Sequence, residues 1–153
     1  MQMTLASLFQ GECFLSGLQG KTKESVFEEM VTHLVSTKRI PSDLAMTVVN
    51  ALTARENKLT TAIGNSLAVP HASIQGLPDV VAMVGKHNDG LPYAADDGKP
   101  VCVFLMVLVP SNDYSVHLRT LAEIGKFLSV PGIKQKLAAV QNREGLLRLV
   151  RTP

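Results

Sequence analysis

The sequence predicts an α/β domain, a single layered unit in which helices cover both faces of a central, mixed, mostly parallel sheet of about five strands. Short apolar segments typical of strands alternate along the chain with segments whose apolar residues recur at helical spacing. One segment, 101–109, is apolar at every position. That pattern is typical of a strand in the middle of a sheet that is covered on both sides.

The composition indicates one globular domain. The chain has 153 residues and no repeat or linker-like tract, so we expect a single domain spanning residues 1–153. A formal net charge of +2 without a basic cluster argues against a nucleic-acid partner. Cys13 and Cys102 have no CxxC or metal-binding spacing, which favours a reducing, cytoplasmic location. No apolar run approaches the ~20 residues of a membrane helix.

The amino-terminal half predicts a strand, two helices and a loop. The strand covers 12–15, and Thr22 is a suitable N-cap for a helix with apolar residues recurring over 26–34. A proline-containing break separates it from a second helix, whose apolar face includes 45–52. The polar segment 57–65 is predicted to be a loop.

The carboxy-terminal half alternates strands and helices. The predicted strands are 67–69, 80–84 and 101–109. After the first of them the sheet should end, at Pro70, because proline cannot donate to the sheet. Segment 87–99 holds Asp-Gly pairs and a proline, which predict turns. Helical spacing returns over 118–128, and two short helices are expected near 133–137 and 146–150.

Three basic side chains are candidates for a catalytic or ligand-binding role. His71 directly follows a strand and the rigid Pro70, at the kind of strand end where α/β folds place their sites. His117 lies in the first turn of the helix after the central strand, on the stripe that includes Ile124. Arg55 continues the apolar stripe of the second helix, where an arginine needs an anionic partner.

Each candidate also has a purely structural interpretation. His71 could be an ordinary loop histidine, His117 a hydrogen-bonded core residue, and Arg55 a partner of Glu56 or a side chain reaching solvent. The set lacks metal-type spacing, and arginine binds phosphate in bidentate fashion, so a phosphate site is favoured over a metal site. Two further histidines are interpreted as structural, one partly buried in a helix and one solvated beside a turn: His33 and His87.

Other chemistries fit the sequence poorly. The chain contains neither GxxxxGK[ST] nor GxGxxG, so nothing indicates nucleotide binding. Segment 64–68 is one residue short of the GxSxG motif of serine hydrolases. Ser66 also precedes a predicted strand, whereas a nucleophile elbow needs a strand before its serine.

One segment resembles a known phosphorylation-site signature. Glu56 is followed, after six residues, by residues 63–72, Ile-Gly-Asn-Ser-Leu-Ala-Val-Pro-His-Ala. This pattern resembles the mannitol/fructose class of enzyme IIA domains of the bacterial sugar phosphotransferase system, including its nitrogen-regulatory relatives. Arg55 with Glu56 resembles the family's Arg-Glu pair, and His117 its second histidine. The resemblance covers almost the whole chain, although Ser73 stands where many relatives carry a basic residue.

The resemblance implies a phosphotransferase with a phosphohistidine intermediate. His71 would accept a phosphoryl group from the carrier HPr and pass it to a cysteine of an enzyme IIB domain for sugar uptake. His117 and Arg55 would hold the phosphoryl oxygens. No metal or nucleotide cofactor is implied, and the membrane would be reached only through the IIB/IIC permease.

Two alternatives remain open. Some free-standing family members act as regulators that bind target proteins according to their phosphorylation state. A plain binding domain would require the signature to be accidental. Either partner of a relay needs an apolar rim around His71, which Ala72, Ile74, Leu77 and Pro78 could supply unless they pack beneath the loop.

Overall fold

A six-stranded mixed sheet forms the centre of the computed structural model, which describes residues 4–93 and 95–153. The strands are β1 (Phe14–Leu15), β2 (Ala62–Gly64), β3 (Leu67–Ala68), β4 (His71–Ile74), β5 (Val81–Leu91) and β6 (Val101–Pro110). Their order is β1-β5-β6-β3-β2, and β4 also pairs with β6. Three of these pairings, β1–β5, β3–β6 and β4–β6, are parallel, while β5–β6 and β2–β3 are antiparallel. The predicted mixed, mostly parallel sheet is confirmed, with one strand more than expected.

Helices flank this sheet. They are α1 (Leu5–Leu8), α2 (Lys23–Ser36), α3 (Ala45–Lys58), α4 (Tyr114–Leu128), α5 (Ile133–Ala139) and α6 (Arg143–Arg151), with a 3-10 turn at Ser42–Leu44. Thr22 caps α2 as predicted, since its side chain accepts from the Ser25 backbone N–H and the Ser25 hydroxyl accepts from Thr22. Within the described residues, no helix combines the length and the apolar character that crossing a membrane requires.

Strand β6 is the buried centre of the molecule, as its sequence predicts. Successive side chains of a strand point to opposite faces. Phe104, Leu105, Met106 and Val107 are all fully buried, so both faces of the sheet are covered at this strand. β6 pairs with β5 along one edge and with β3 and β4 along the other, which brings the start of β4 to the middle of the sheet.

The predicted loop 57–65 is wrong at both ends. Helix α3 continues to Lys58, and β2 forms a hairpin with β3. Asn65 and Ser66 make the turn, both with positive φ values, 57° and 61°. The segment is polar because β2 is the last strand of the sheet order and is only partly buried, not because it lacks regular structure.

Pro70 interrupts the sheet without ending it. β3 and β4 both pair in parallel with β6, and the Pro70 carbonyl between them accepts a hydrogen bond of 3.0 Å from the Val107 N–H. The missing proline N–H therefore removes one donor but leaves the chain beside β6. His71 is the first residue of β4, opposite Val107, so the prediction that the sheet ends before it is wrong.

Strand β5 extends to Leu91, into the first part of the segment where turns were predicted. The later part forms the predicted turn, with a 2.9 Å hydrogen bond from the Gly98 N–H to the Ala95 carbonyl. The pairing with β6 shifts register between Lys86 and Leu91, so the Asp89-Gly90 pair marks an irregularity inside a strand. His87 is consequently buried, 7% exposed, and its Nε2 lies 2.8 Å from the Gly20 carbonyl oxygen. The interpretation of His87 as a solvated residue is wrong.

Candidate functional site

A shallow cleft of about 290 Å³ contains all three predicted site residues. We call it the histidine cleft. Its lining residues come from α3, β4 and α4 and are Ala51, Ala54, Arg55, Lys58, His71, Ala72, Ser73 and His117. Residues more than 60 positions apart in the sequence thus meet because β4 lies beside β6, and α4 follows β6 directly.

The orientation of the His71 ring is set by a backbone hydrogen bond. Nδ1 lies 2.9 Å from the carbonyl oxygen of Val69. A carbonyl oxygen only accepts, so Nδ1 carries the proton and donates it. In the neutral ring the lone pair is then on Nε2. The half-buried His71 therefore offers Nε2 as a nucleophile at the histidine cleft.

His117 lies across the cleft, in the first turn of α4. Asp113 caps this helix by accepting from the Val116 N–H, and hydrogen bonds from the Ser115 hydroxyl and the Val116 N–H lower the pKa of the Asp113 carboxyl. The Nδ1 atom of His117 lies 3.1 Å from the hydroxyl of Ser73, and the Tyr114 ring stacks on the imidazole. His117 is half-buried on the inward side of the helix, as predicted.

The inward stripe of α4 differs from the predicted one in another respect. Its buried residues are Thr120, Ile124 and Phe127, which lie at helical spacing after His117. Leu118 is 51% exposed, although the periodicity assigned it to the core. Leu118 directly follows His117 in the chain and presents an exposed apolar side chain.

Arg55 reaches the cleft from the end of α3. Its Nη1 donates a 2.8 Å hydrogen bond to the Leu59 carbonyl. The side chain is half-buried and does not pair with Glu56, which is turned into the protein and forms a salt bridge with Lys23. The alternative of an Arg55–Glu56 pair is therefore wrong.

Sequence reasoning missed two polar lining residues. Lys58 follows Arg55 by three positions on α3, and Ser73 follows His71 by two positions on β4. Both spacings place the second side chain on the same face as the first, so helix and strand periodicity could have identified them once the first residue was known.

The side chains of the histidine cleft suit an anion. Two imidazoles, a guanidinium, an ammonium and a hydroxyl line it, and its lining in the described part of the chain includes no carboxylate. Arginine and lysine both favour phosphate oxygens, the former through a planar fork. The arrangement can hold a phosphoryl group next to a nucleophilic histidine nitrogen.

Several exposed apolar residues are neighbours of cleft residues in space or along the chain. Tyr114 is 73% exposed, Leu118 51% and Leu59 69%. The Tyr114 ring stacks on His117, and Leu118 follows His117 in the chain. The Leu59 carbonyl accepts the hydrogen bond from Arg55. These three residues form the apolar rim.

The predicted rim is not the observed one. Ala72, Ile74 and Leu77 are buried in the core, although Ala72 also lines the cleft. Pro78 is exposed but lies outside the cleft lining. Alternate residues of β4 face the sheet's interior, so the side chains after His71 could not all be exposed.

Relatives in sequence are of two kinds. The chain is 29% identical to a nitrogen regulatory protein of Pseudomonas aeruginosa over 136 residues, which cover 89% of this chain and 87% of that protein. It is 24% identical over 148 residues to the fructose-specific EIIABC component of the phosphotransferase system of Bacillus subtilis. The matched region is 97% of this chain but 23% of that longer protein.

Solved structures share the fold. The nitrogen regulatory protein IIA-Ntr from Neisseria meningitidis superposes with a TM-score of 0.81 at 24% identity, covering 95% of this chain and 98% of that one. Enzyme IIA of mannitol, in its complex with phosphorylated enzyme IIB from Escherichia coli, gives a TM-score of 0.72 at 17% identity, with 94% and 97% covered. Residues 7–152 match the model of the family described as phosphoenolpyruvate-dependent sugar phosphotransferase system, EIIA 2, and the chain belongs to that family.

Proposed function

We propose that this chain is a phosphoryl carrier in which His71 accepts a phosphoryl group from phosphorylated HPr and passes it to a cysteine of an enzyme IIB domain for sugar uptake. The observation that carries the proposal is the hydrogen bond from His71 Nδ1 to the Val69 carbonyl, at the edge of a cleft lined with cations. It leaves Nε2 as the attacking atom.

Each transfer exchanges one bond to phosphorus for another. The Nε2 lone pair of His71 forms a bond to phosphorus while the bond to the donor's histidine nitrogen breaks, and the donor ring leaves with its electron pair. The phosphorylated ring keeps its proton on Nδ1 and becomes cationic, so the hydrogen bond to Val69 becomes charge-assisted. The acceptor thiolate then attacks phosphorus, and the His71 ring leaves neutral.

The rest of the cleft stabilises the moving charge. His117 and Arg55 are proposed to hold the phosphoryl oxygens, with Lys58 as a further cation. The Ser73 hydroxyl binds Nδ1 of His117, which fixes that ring relative to β4. Phosphoryl transfer needs mainly positioning and charge stabilisation, and both are available from these side chains.

The apolar rim is the proposed docking surface for both partners. Donor and acceptor must reach the same histidine in turn, so each complex has to be short-lived, with a buried area below about 1,200 Å². Tyr114 and Leu118 offer exposed apolar contacts directly beside His117. Two free thiols, Cys13 and Cys102, support a cytoplasmic location, with the membrane reached only through the IIB/IIC permease.

A regulatory role is the second candidate, and the relatives favour it. Several proteins named nitrogen regulatory proteins match over 87 to 97% of their own length. A regulator would bind a target protein through the same rim, and a phosphoryl group on His71 would add negative charge there.

Replacing His71 should abolish phosphorylation. Incubation of the wild-type chain with phosphorylated HPr should add one acid-labile, base-stable phosphoryl group, measured by intact mass, whereas His71→Ala should remain unlabelled. His33→Ala is the matched control, because His33 is half-buried on α2 with its Nε2 bonded to the Glu12 carbonyl. A His71→Ala protein that labels fully contradicts the proposal.

His117 should support transfer without carrying the phosphate. His117→Ala should still be labelled on His71, but with a rate lower by ~10²–10³, the usual effect of losing one charge-stabilising group. Rapid-quench measurement of both transfers tests this. Arg119→Ala, an exposed change two residues away on the same helix, should leave the rates unchanged. Wild-type kinetics for His117→Ala would reduce it to a packing residue.

Capture of partners distinguishes transport from regulation. Immobilised wild type and His71→Asp serve as two baits in an extract of the source cells. A transport component should retain its IIB partner weakly and no protein tightly. A stable partner that binds the wild type and is released from His71→Asp would contradict the transport role and favour regulation.

A further inference from the structure

Glu56 is a buried carboxylate that the proposed relay does not use. It is 4% exposed, and a carboxylate in that position needs strong compensation from its neighbours. It lies outside the lining of the histidine cleft, although it directly follows Arg55. Its hydrogen-bond partners therefore indicate its role.

Four donors from three parts of the chain converge on this carboxylate. The Thr61 N–H lies 3.1 Å from Oε2, and the Thr61 hydroxyl donates to Oε1. The Tyr93 hydroxyl lies 3.0 Å from Oε1, and the Lys23 ammonium 3.0 Å from Oε2. The Lys23 ammonium also lies 4.1 Å from the centre of the Tyr93 ring.

These contacts keep Glu56 ionised. Burial by itself disfavours the charged form, but hydrogen bonds from Thr61 and Lys23 lower the pKa of the carboxyl below its ordinary value. Burial raises the pKa of Tyr93 well above its ordinary range, so its hydroxyl remains a donor. An ionised acceptor makes each of these bonds stronger than a neutral one would be.

The same network continues to His71 through the backbone. Thr61, held at its N–H and hydroxyl by Glu56, accepts a 3.0 Å hydrogen bond at its carbonyl from the Val69 N–H. The Val69 carbonyl in turn accepts from His71 Nδ1 at 2.9 Å. Three hydrogen bonds in series thus join the carboxylate to the imidazole.

We propose that Glu56 is a positioning residue for His71: by anchoring Thr61 it fixes the backbone at Val69, and so holds the His71 ring in the tautomer with its lone pair on Nε2. The same anchoring keeps the attacking nitrogen in place for transfer. The effect on transfer rests on the proposed function, whereas the effect on the tautomer is a property of the unphosphorylated protein.

The test combines two variants and two measurements. Glu56→Gln keeps the shape of the side chain and removes its charge, and Thr61→Val removes one donor while keeping the backbone. ¹⁵N NMR of the unphosphorylated protein reports the tautomer of His71. Rapid-quench kinetics with phosphorylated HPr report kcat and KM separately. Val31→Ala is the matched control, a buried change on α2 without a bond to this network.

The wild type and Val31→Ala should show a single tautomer with a protonated Nδ1. Glu56→Gln should show a mixture of tautomers and a kcat lower by on the order of 10²-fold, because small misplacements of a reacting group have effects of that size. Its KM for the donor should be unchanged. Thr61→Val should show the same two changes to a smaller extent, and it decides the outcome if Glu56→Gln does not fold.

A folded Glu56→Gln or Thr61→Val protein with the wild-type tautomer and kcat would overturn the inference. Failure of the wild type itself to accept a phosphoryl group would contradict the proposed function instead. The comparison of tautomers would then still decide whether Glu56 positions His71.

Discussion

The site depends on one hydrogen bond of 2.9 Å, from Nδ1 of His71 to the carbonyl of Val69. Without it the imidazole could carry its proton on either nitrogen and rotate about its side-chain bonds. With it the lone pair is confined to Nε2, and a neutral histidine becomes a nucleophile with a defined direction. Pro70, between the two partners, contributes a fixed φ and no N–H of its own. The hydrogen bond between Val69 and His71 thus holds the imidazole ring in one orientation.

The residues around this hydrogen bond either fix the backbone that forms it or line the cleft beside His71. On one side, the Val107 N–H of β6 donates to the Pro70 carbonyl. On the other, the Val69 N–H donates to the carbonyl of Thr61, which Glu56 binds. The cleft then supplies positive charge from α3 and a second imidazole from α4. Such a site suits the proposed carrier, because a phosphoryl group on His71 would lie beside cationic side chains at a shallow surface that protein partners can reach. The proposed transport and regulatory roles would use the same histidine and differ in which protein covers the apolar rim.

Much of this arrangement could be predicted from the sequence, and the exceptions have physical causes. Apolar periodicity identified the buried β6 and the helices, and basic residues at element ends identified His71, His117 and Arg55, which the structure brings to one cleft. Local patterns could not predict pairings made by distant residues. The strand after Pro70 exists because β6 lies beside it, and the burial of His87 follows from a bulge within β5. The network of Glu56 joins segments that only the fold brings together.

The proposed role of Nε2 of His71 can be tested by identifying the nitrogen that carries the phosphoryl group. The chain, labelled with ¹⁵N in its histidine rings, would be phosphorylated by HPr and examined by ¹⁵N and ³¹P NMR. We expect a phosphoryl group on Nε2 of His71, with the proton retained on Nδ1 toward Val69. A phosphoryl group on Nδ1 of His71, or on His117, would contradict it.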